Sequence, residues 1–256
     1  MSIRYKCARR TNDQEFTCSH IQLRGTQTIM KIIARIHTGF EEKFGIPRQS
    51  GLAQTQAEII FEPPYNIREA VRGLEEFSHI WILWDFSECH KEQQEREWNP
   101  TVRPPRLGGN TRIGVFATRS PYRPNHIGLS CVRLKEVVFD HRGPVLRVLG
   151  ADLLNGTPIY DIKPYLPYAD SFPDAKSGFA SSVPKRTEVE FSCSVPGGIS
   201  DEMLADIREL LKQDPRPAYQ RDPERIYGMK YAGVEIKFKG SEEKITVCDI
   251  SFYPSI

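Results

Sequence analysis

Short apolar runs, each cut off by proline or glycine, limit what this chain can fold into. Strand-length runs occupy Lys31–His37, Ala57–Phe61, Ser78–Phe86, Ile113–Ala117 and Ile127–Leu134. Val137–Gly150 reads as two further strands around a turn at Asp140–Pro144, and Ile159–Tyr165 as a short strand closed by proline. Before residue 170 one stretch alone reads as a helix. It is Asn66–Phe77, with Asn66 as N-cap and Ile67, Ala70, Val71 and Leu74 spaced to face a core. Many short strands with so little helix point to a β-barrel-like domain and away from a βαβ sheet.

The pattern changes after residue 170. Residues 170–186 are rich in Pro, Ser and Lys and read as a linker. Glu188–Ser194 reads as a strand and Ser200–Lys212 as a helix capped by Ser200, with Met203, Leu204, Ile207, Leu210 and Leu211 as its buried stripe. Gly233–Lys239 and Lys244–Tyr253 read as a closing hairpin. The expected class is mainly β: a barrel domain over residues 30–170, then a small α+β domain over residues 187–256. Residues 1–29 lack periodicity and read as an extension, with Met30 as a candidate start.

Charge is concentrated in one place. Trp98–Lys135 holds six arginines and one lysine without a single acid, so on a chain of net charge +2 the other residues sum to −5. One such arginine reads as a solvated surface residue. Six together, on a stretch stiffened by Pro104-Pro105, Pro121 and Pro124, read as a surface for a polyanion. Thr118–Asn125 carries Arg119 and Arg123 on a proline-fixed turn, and guanidinium forks held this way suit carboxylates and phosphates.

Other classes are disfavoured. No G-x-G-x-x-G follows a strand, and there is no P-loop, H-E-x-x-H or G-x-S-x-G motif. No apolar run approaches the roughly 18 residues that a membrane span needs. The six cysteines are scattered and form no C-x-x-C pair, so neither a zinc site nor a disulfide framework is expected, and a reducing cytoplasm is the plain reading.

Three long motifs carry a resemblance. R-P-P-R-L-G-G-N at 103–110, G-V-F-A-T-R-S-P-Y-R-P-N-x-I-G-L-S at 114–130 and N-G-T-P-I-Y-D-I-K-P-Y-L-P-Y-A-D at 155–170 are similar to the TsaA-like (TrmO) family. The resemblance runs from about Met30 to the C-terminus and is strongest over Pro47–Asp170. It implies a β-barrel tRNA methyltransferase using S-adenosylmethionine, with the cofactor near a homodimer interface. The substrate it implies is N6 of a threonylcarbamoyladenosine at tRNA position 37, in the anticodon stem-loop. Pro47, Arg48 and Gln49 match a family motif tied to the cofactor. Ser87, Glu88, Arg119, Leu129, Asp152, Leu153, Leu154 and Asn155 fall on further cofactor positions.

Two departures stand out. Many members carry a histidine where this chain reads Ser87-Glu88, with His90 a little later, and the family's usual Asp-Gly-Thr-Pro begins here with Asn155. Asn keeps the turn geometry but removes a carboxylate. Asp161 and Asp152 are the candidate bases for the proton on the reacting nitrogen. Arg119 is the candidate clamp for the cofactor carboxylate, and Arg106 or Arg123 for the threonyl carboxylate. Tyr122 offers a ring for a base. Lys163, Tyr165, Arg216 and Tyr219 complete the expected substrate contacts. Two alternatives share the basic stretch: a methyltransferase of a small metabolite, and a non-catalytic RNA-binding barrel.

Overall fold

The computed structural model describes residues 30–89, 98–217, 222–241 and 243–253; His90 and Tyr219 lie outside them. Lys31–Ile256 form one compact unit. Six strands make its first sheet: β1 (Ala34–His37), β2 (Gln56–Phe61), β3 (His79–Asp85), β6 (Ile127–Asp140), β7 (Gly143–Leu149) and β8 (Pro158–Pro164). Every pairing is antiparallel, in the order β1-β2-β7-β6-β3-β8, and β8 pairs back to β1, closing a barrel. Period-two alternation drives this. Ala34 and Ile36, Ala57, Ile59 and Phe61, Ile80, Ile82 and Trp84, and Leu146 and Val148 turn inward as one apolar core. Gly128 on β6 is required where it stands, because a Cβ there would lie 2.2 Å from the Trp84 ring.

The register fixes which loops meet. His37 pairs with Glu58, Gln56 with Leu149, Asp85 with Ile127 and Arg35 with Pro158. Strands β1, β3 and β7 therefore end, and β2, β6 and β8 begin, at the same rim. The connections 38–55, 86–126 and 150–157 all emerge there. Within the second of them, β4 (Thr101–Val102) and β5 (Ile113–Gly114) pair as a two-stranded ribbon.

After a short helix, α1 (Pro167–Asp170), the chain builds a second sheet from β9 (Glu188–Phe191), β10 (Tyr227–Tyr231), β11 (Val234–Gly240) and β12 (Lys244–Phe252), ordered β10-β11-β12-β9. Helix α2 (Asp201–Leu211) is capped by the Ser200 hydroxyl, which accepts from the Met203 N–H at 3.2 Å, and lays Ile207, Leu210 and Leu211 into the core of this sheet. Phe40 and Ala53, from the β1–β2 connection, are buried in that same core. The Ala232 N–H donates to the Gly39 carbonyl at 2.8 Å. The second sheet thus holds a rim loop of the barrel in place.

Three expectations are corrected. Asn66–Phe77 is not one helix but two 3-10 turns, Arg68–Val71 and Leu74–Glu76, because Arg72 between them is extended and Gly73 after it is left-handed. Asn66 donates its side-chain amide to the Arg142 carbonyl instead of capping, and of the proposed core face only Val71 is buried. Ile113–Ala117 is strand for two residues and then a 3-10 turn over Val115–Ala117. Strand β6 runs unbroken through Asp140 instead of stopping at Leu134.

Candidate active site

The β1–β2 connection delivers Pro47, Arg48 and Gln49 to the barrel rim. Its far end is pinned where the Gly51 N–H donates to the Gly150 carbonyl at 2.8 Å, just past β7. The loop before β6 is braced from within. The Thr118 hydroxyl donates to the Val115 carbonyl at 2.8 Å and accepts from the Ser120 N–H at 3.2 Å. The Arg123 guanidinium donates to the Thr118 carbonyl at 2.7 Å and the Val115 carbonyl at 3.3 Å. The backbone of Arg119 is therefore held between fixed points, as prolines 121 and 124 lead one to expect.

Arg119 reaches across the rim and donates from Nη1 to the Gln49 side-chain oxygen. Asp152 lies beside them, accepting from the Ser130 hydroxyl at 2.6 Å, and Ser130 in turn accepts from the Trp84 indole N–H at 3.0 Å. Burial pushes the Asp152 carboxyl above its ordinary value; the Ser130 hydrogen bond, backbone N–H groups including that of Ser50, and the positive charge of Arg119 act against that rise. Arg119, Gln49 and Asp152, each from a different loop, thus form one polar cluster anchored into the barrel core.

A cleft of ≈2460 Å³ opens beside the cluster. It is lined by Arg48, Gln49 and Arg119, by Arg103, Arg106 and Arg112, by the rings of Phe116 and Tyr122, and by Lys176 and Lys185 from the linker. Among the described residues no carboxylate lines it. That volume exceeds the roughly 300–1,000 Å³ of an ordinary small-ligand pocket. The linker is tied to Arg106, which donates to the Ser182 carbonyl at 2.8 Å.

The expected site residues divide. Arg48, Gln49, Arg119, Arg106 and Tyr122 line the cleft, with Asp152 coupled to Arg119. Leu153 is buried in the barrel core, so only its backbone is available, and its carbonyl accepts from the Thr38 hydroxyl at 3.1 Å. The Leu154 carbonyl accepts from the Thr157 hydroxyl at 2.7 Å. Asn155 accepts from the Thr38 N–H at 3.2 Å, tying β1 to the rim. Ser87 and Glu88 follow β3 at the same rim, and Leu129 is exposed on β6, across from Leu83.

Other residues are turned elsewhere. Asp161 faces out from β8, paired with Lys163 at 2.9 Å. Tyr165 packs near Trp81, with ring centres 5.9 Å apart, toward the other end of the barrel. Neither Lys163 nor Tyr165 lines the cleft. Arg123 braces its own loop, and Arg216, although along the cleft wall, is 8% exposed, with its guanidinium bonded to Asp214 and to the carbonyls of Gly240 and Ser241. These two forks hold backbone in place instead of facing the opening. Sequence reasoning passed over Ser130, which no motif marks as a partner of Asp152, and Phe116, which it placed inside a strand.

A closed barrel with an arginine-walled cleft at its rim, free of carboxylates among the described residues, has the shape and charge to admit a large anion. Comparison with known proteins narrows this. Residues 35–171 match the family model of the tRNA-methyltransferase O N-terminal domain, and residues 185–252 that of the TrmO C-terminal domain. The chain belongs to the tRNA-methyltransferase O family. It is 47% identical over 211 residues to the tRNA (adenine(37)-N6)-methyltransferase of Escherichia coli K12, covering 78% of this chain and 86% of that protein. A Pseudomonas aeruginosa relative bearing the name of an S-adenosylmethionine-dependent methyltransferase, RcsF, is 42% identical over 213 residues, 80% of this chain and 89% of its own. A crystal structure of TrmO from Pseudomonas aeruginosa superposes with a TM-score of 0.70 at 33% identity, over 88% of this chain and all of that one.

Proposed function

We propose that this protein transfers a methyl group to N6 of threonylcarbamoyladenosine at tRNA position 37, beside the anticodon. The reaction class follows from the family: the chain is an S-adenosylmethionine-dependent tRNA methyltransferase. The observation that carries the reading is the Arg119–Gln49–Asp152 cluster opening into a cationic cleft without a carboxylate among the described residues.

The cluster fits the cofactor. Arg119 keeps a guanidinium edge that Gln49 does not use, suited to a carboxylate, and the Asp152 carboxylate is an acceptor for ribose hydroxyls or an amine. When bound, S-adenosylmethionine supplies an electrophilic methyl group on a sulfonium. Pro47, Arg48 and Gln49, Ser87 and Glu88, Leu129, and the backbone of residues 152–155 surround it in this reading. Positioning supplies most of the rate, since N6 needs only an in-line approach to the methyl carbon. The methyl group would move from the sulfonium to N6, and the N6 proton would pass to a carboxylate of this chain. Asp152, whose burial makes it a better proton acceptor than an ordinary carboxylate, is the preferred base, and Asp161 the second choice.

Arg106 meets the threonyl carboxylate, Tyr122 stacks on a base, and the remaining cations of the cleft take phosphates of the anticodon stem-loop. Asp161, Lys163 and Tyr165 belong to the outer barrel wall, and any part they play requires the RNA or a second copy to reach that wall. The barrel domain (30–170) carries the chemistry, and the small α+β domain (187–256) fixes the cofactor loop. The working enzyme is a cytoplasmic homodimer. Nucleoside mass analysis of tRNA from a strain lacking the gene tests the reading: methylated threonylcarbamoyladenosine should vanish and its unmethylated form accumulate. Unchanged nucleosides would overturn it.

A further inference from the structure

Phe116 is 70% exposed although it sits in the middle of an apolar run. Its neighbour Val115 is 1% exposed and anchors the turn, so the backbone has little freedom. The Thr118 hydroxyl and the Arg123 guanidinium both bind the Val115 carbonyl, fixing the turn from two sides. The Arg123 guanidinium also lies 5.6 Å from the Phe116 ring centre. Trp98, 47% exposed, lies 6.3 Å from the same ring at an interplanar angle of 37°. Two large aromatic faces are thus presented together, one of them on a rigid turn in the cleft wall.

Phe116, with both of these neighbours, is still 70% exposed and has room for a further flat partner. Its surroundings decide what fills it. The cleft is cationic and, among the described residues, without a carboxylate, so the complementary partner is a polyanion with flat uncharged faces. Single-stranded RNA has both properties, because its loop bases unstack easily while its phosphates stay charged. We infer that Phe116, flanked by Trp98, is a stacking platform that seats one unpaired base of the RNA loop, while Arg103, Lys176 and Lys185 in the same cleft hold phosphates. This rests on the tRNA reading above and adds to it a specific positioning contact. The Phe116 side chain has no donor, acceptor or titratable group, so its role is to place the RNA.

The test uses the full-length protein and a synthetic anticodon stem-loop RNA carrying 2-aminopurine at each loop position in turn. Stacking on a ring quenches that fluorophore. One loop position should be quenched by the parent protein. Phe116→Ala should lose that quenching and weaken RNA binding about 5- to 150-fold, the range for one base–aromatic stack. Phe116→Tyr should retain both, whereas Phe116→Leu, similar in apolar character but without a π face, should behave like Phe116→Ala. The dependence of RNA affinity on salt should keep its slope, because no phosphate contact is lost. S-adenosylmethionine affinity and melting temperature serve as checks on folding and should not change. If Phe116→Ala or Phe116→Leu binds RNA within twofold of the parent and quenches the same position, the stacking inference fails while the tRNA reading stands. A parent protein without salt-dependent affinity for the stem-loop would sink both.

Discussion

Arg119→Lys separates geometry from charge at the centre of the site. Arginine offers a planar fork with five N–H donors, and the structure shows one nitrogen used on Gln49. The opposite edge is what a carboxylate would engage in a bidentate pair. Lysine keeps the positive charge near Asp152 but cannot hold Gln49 and grip a carboxylate with two parallel bonds. The loss is about one charge-assisted hydrogen bond, roughly 1–3 kcal/mol. Arg119 is exposed, which favours the lower half of that range. Cofactor affinity should therefore fall about 5- to 30-fold at 1.4 kcal/mol per decade. Because the side chain packs into no core, unfolding free energy should move by less than about 0.5 kcal/mol. Calorimetric titration with S-adenosylmethionine measures the first effect and urea unfolding the second. RNA affinity at several salt concentrations should stay near the parent curve. A variant that binds cofactor normally but loses RNA would refute the assignment of Arg119.

Four further outcomes follow from the same contacts. Arg103→Ala should lower RNA affinity and reduce the salt slope by about 1 with near-normal cofactor binding, as RNA filter binding across a salt series would show. Ser130→Ala leaves the Trp84 indole N–H buried without a partner and should cost about 1–3 kcal/mol in urea unfolding; an unchanged midpoint would contradict the Trp84–Ser130–Asp152 chain. Gly128→Ala drives a Cβ against the Trp84 ring and should destabilise by about 1–3 kcal/mol, read as a lower melting temperature. Asp152→Asn should raise the melting temperature at pH 7. Its folded carboxyl is held above the ordinary 3.8, so the native state binds the proton more tightly, and stability is lost as pH climbs from 3.8 through the raised value. The variant lacks that loss, so its advantage should disappear in acid, and cofactor affinity should fall at neutral pH.

The barrel was legible because alternation has period two and proline or glycine ends nearly every run. Ile80, Ile82 and Trp84 face inward as their spacing requires. The helix expected at Asn66–Phe77 failed in its middle: Arg72 is extended and Gly73 left-handed, and apolar spacing alone reports neither. I-G-V-F-A is too short for periodicity to separate a strand from a turn, so the exposure of Phe116 was hidden. Strand β10 alternates Tyr227, Met229 and Tyr231 inward and went unassigned although its five residues keep the period-two pattern. In the site, Arg119 was readable from its place at the end of an apolar run before a proline. Arg123 and Arg216 were not, since composition cannot tell a fork offered to a ligand from one bonded to backbone carbonyls. The Ser130 link to Asp152 spans 22 residues and that to Trp84 spans 46, and it exists only through the barrel register.

The most direct test of the central claim is methyl transfer in a purified system. The protein is incubated with S-adenosylmethionine carrying a deuterated methyl group and with either of two otherwise identical tRNAs, one bearing threonylcarbamoyladenosine at position 37 and one bearing plain adenosine there. Digestion and mass analysis then locate the label. Deuterated methyl should appear on N6 of threonylcarbamoyladenosine in the first tRNA and nowhere in the second, and the product should be lost with Asp152→Asn. Label on unmodified adenosine, label elsewhere in the tRNA, or no transfer at all would contradict it.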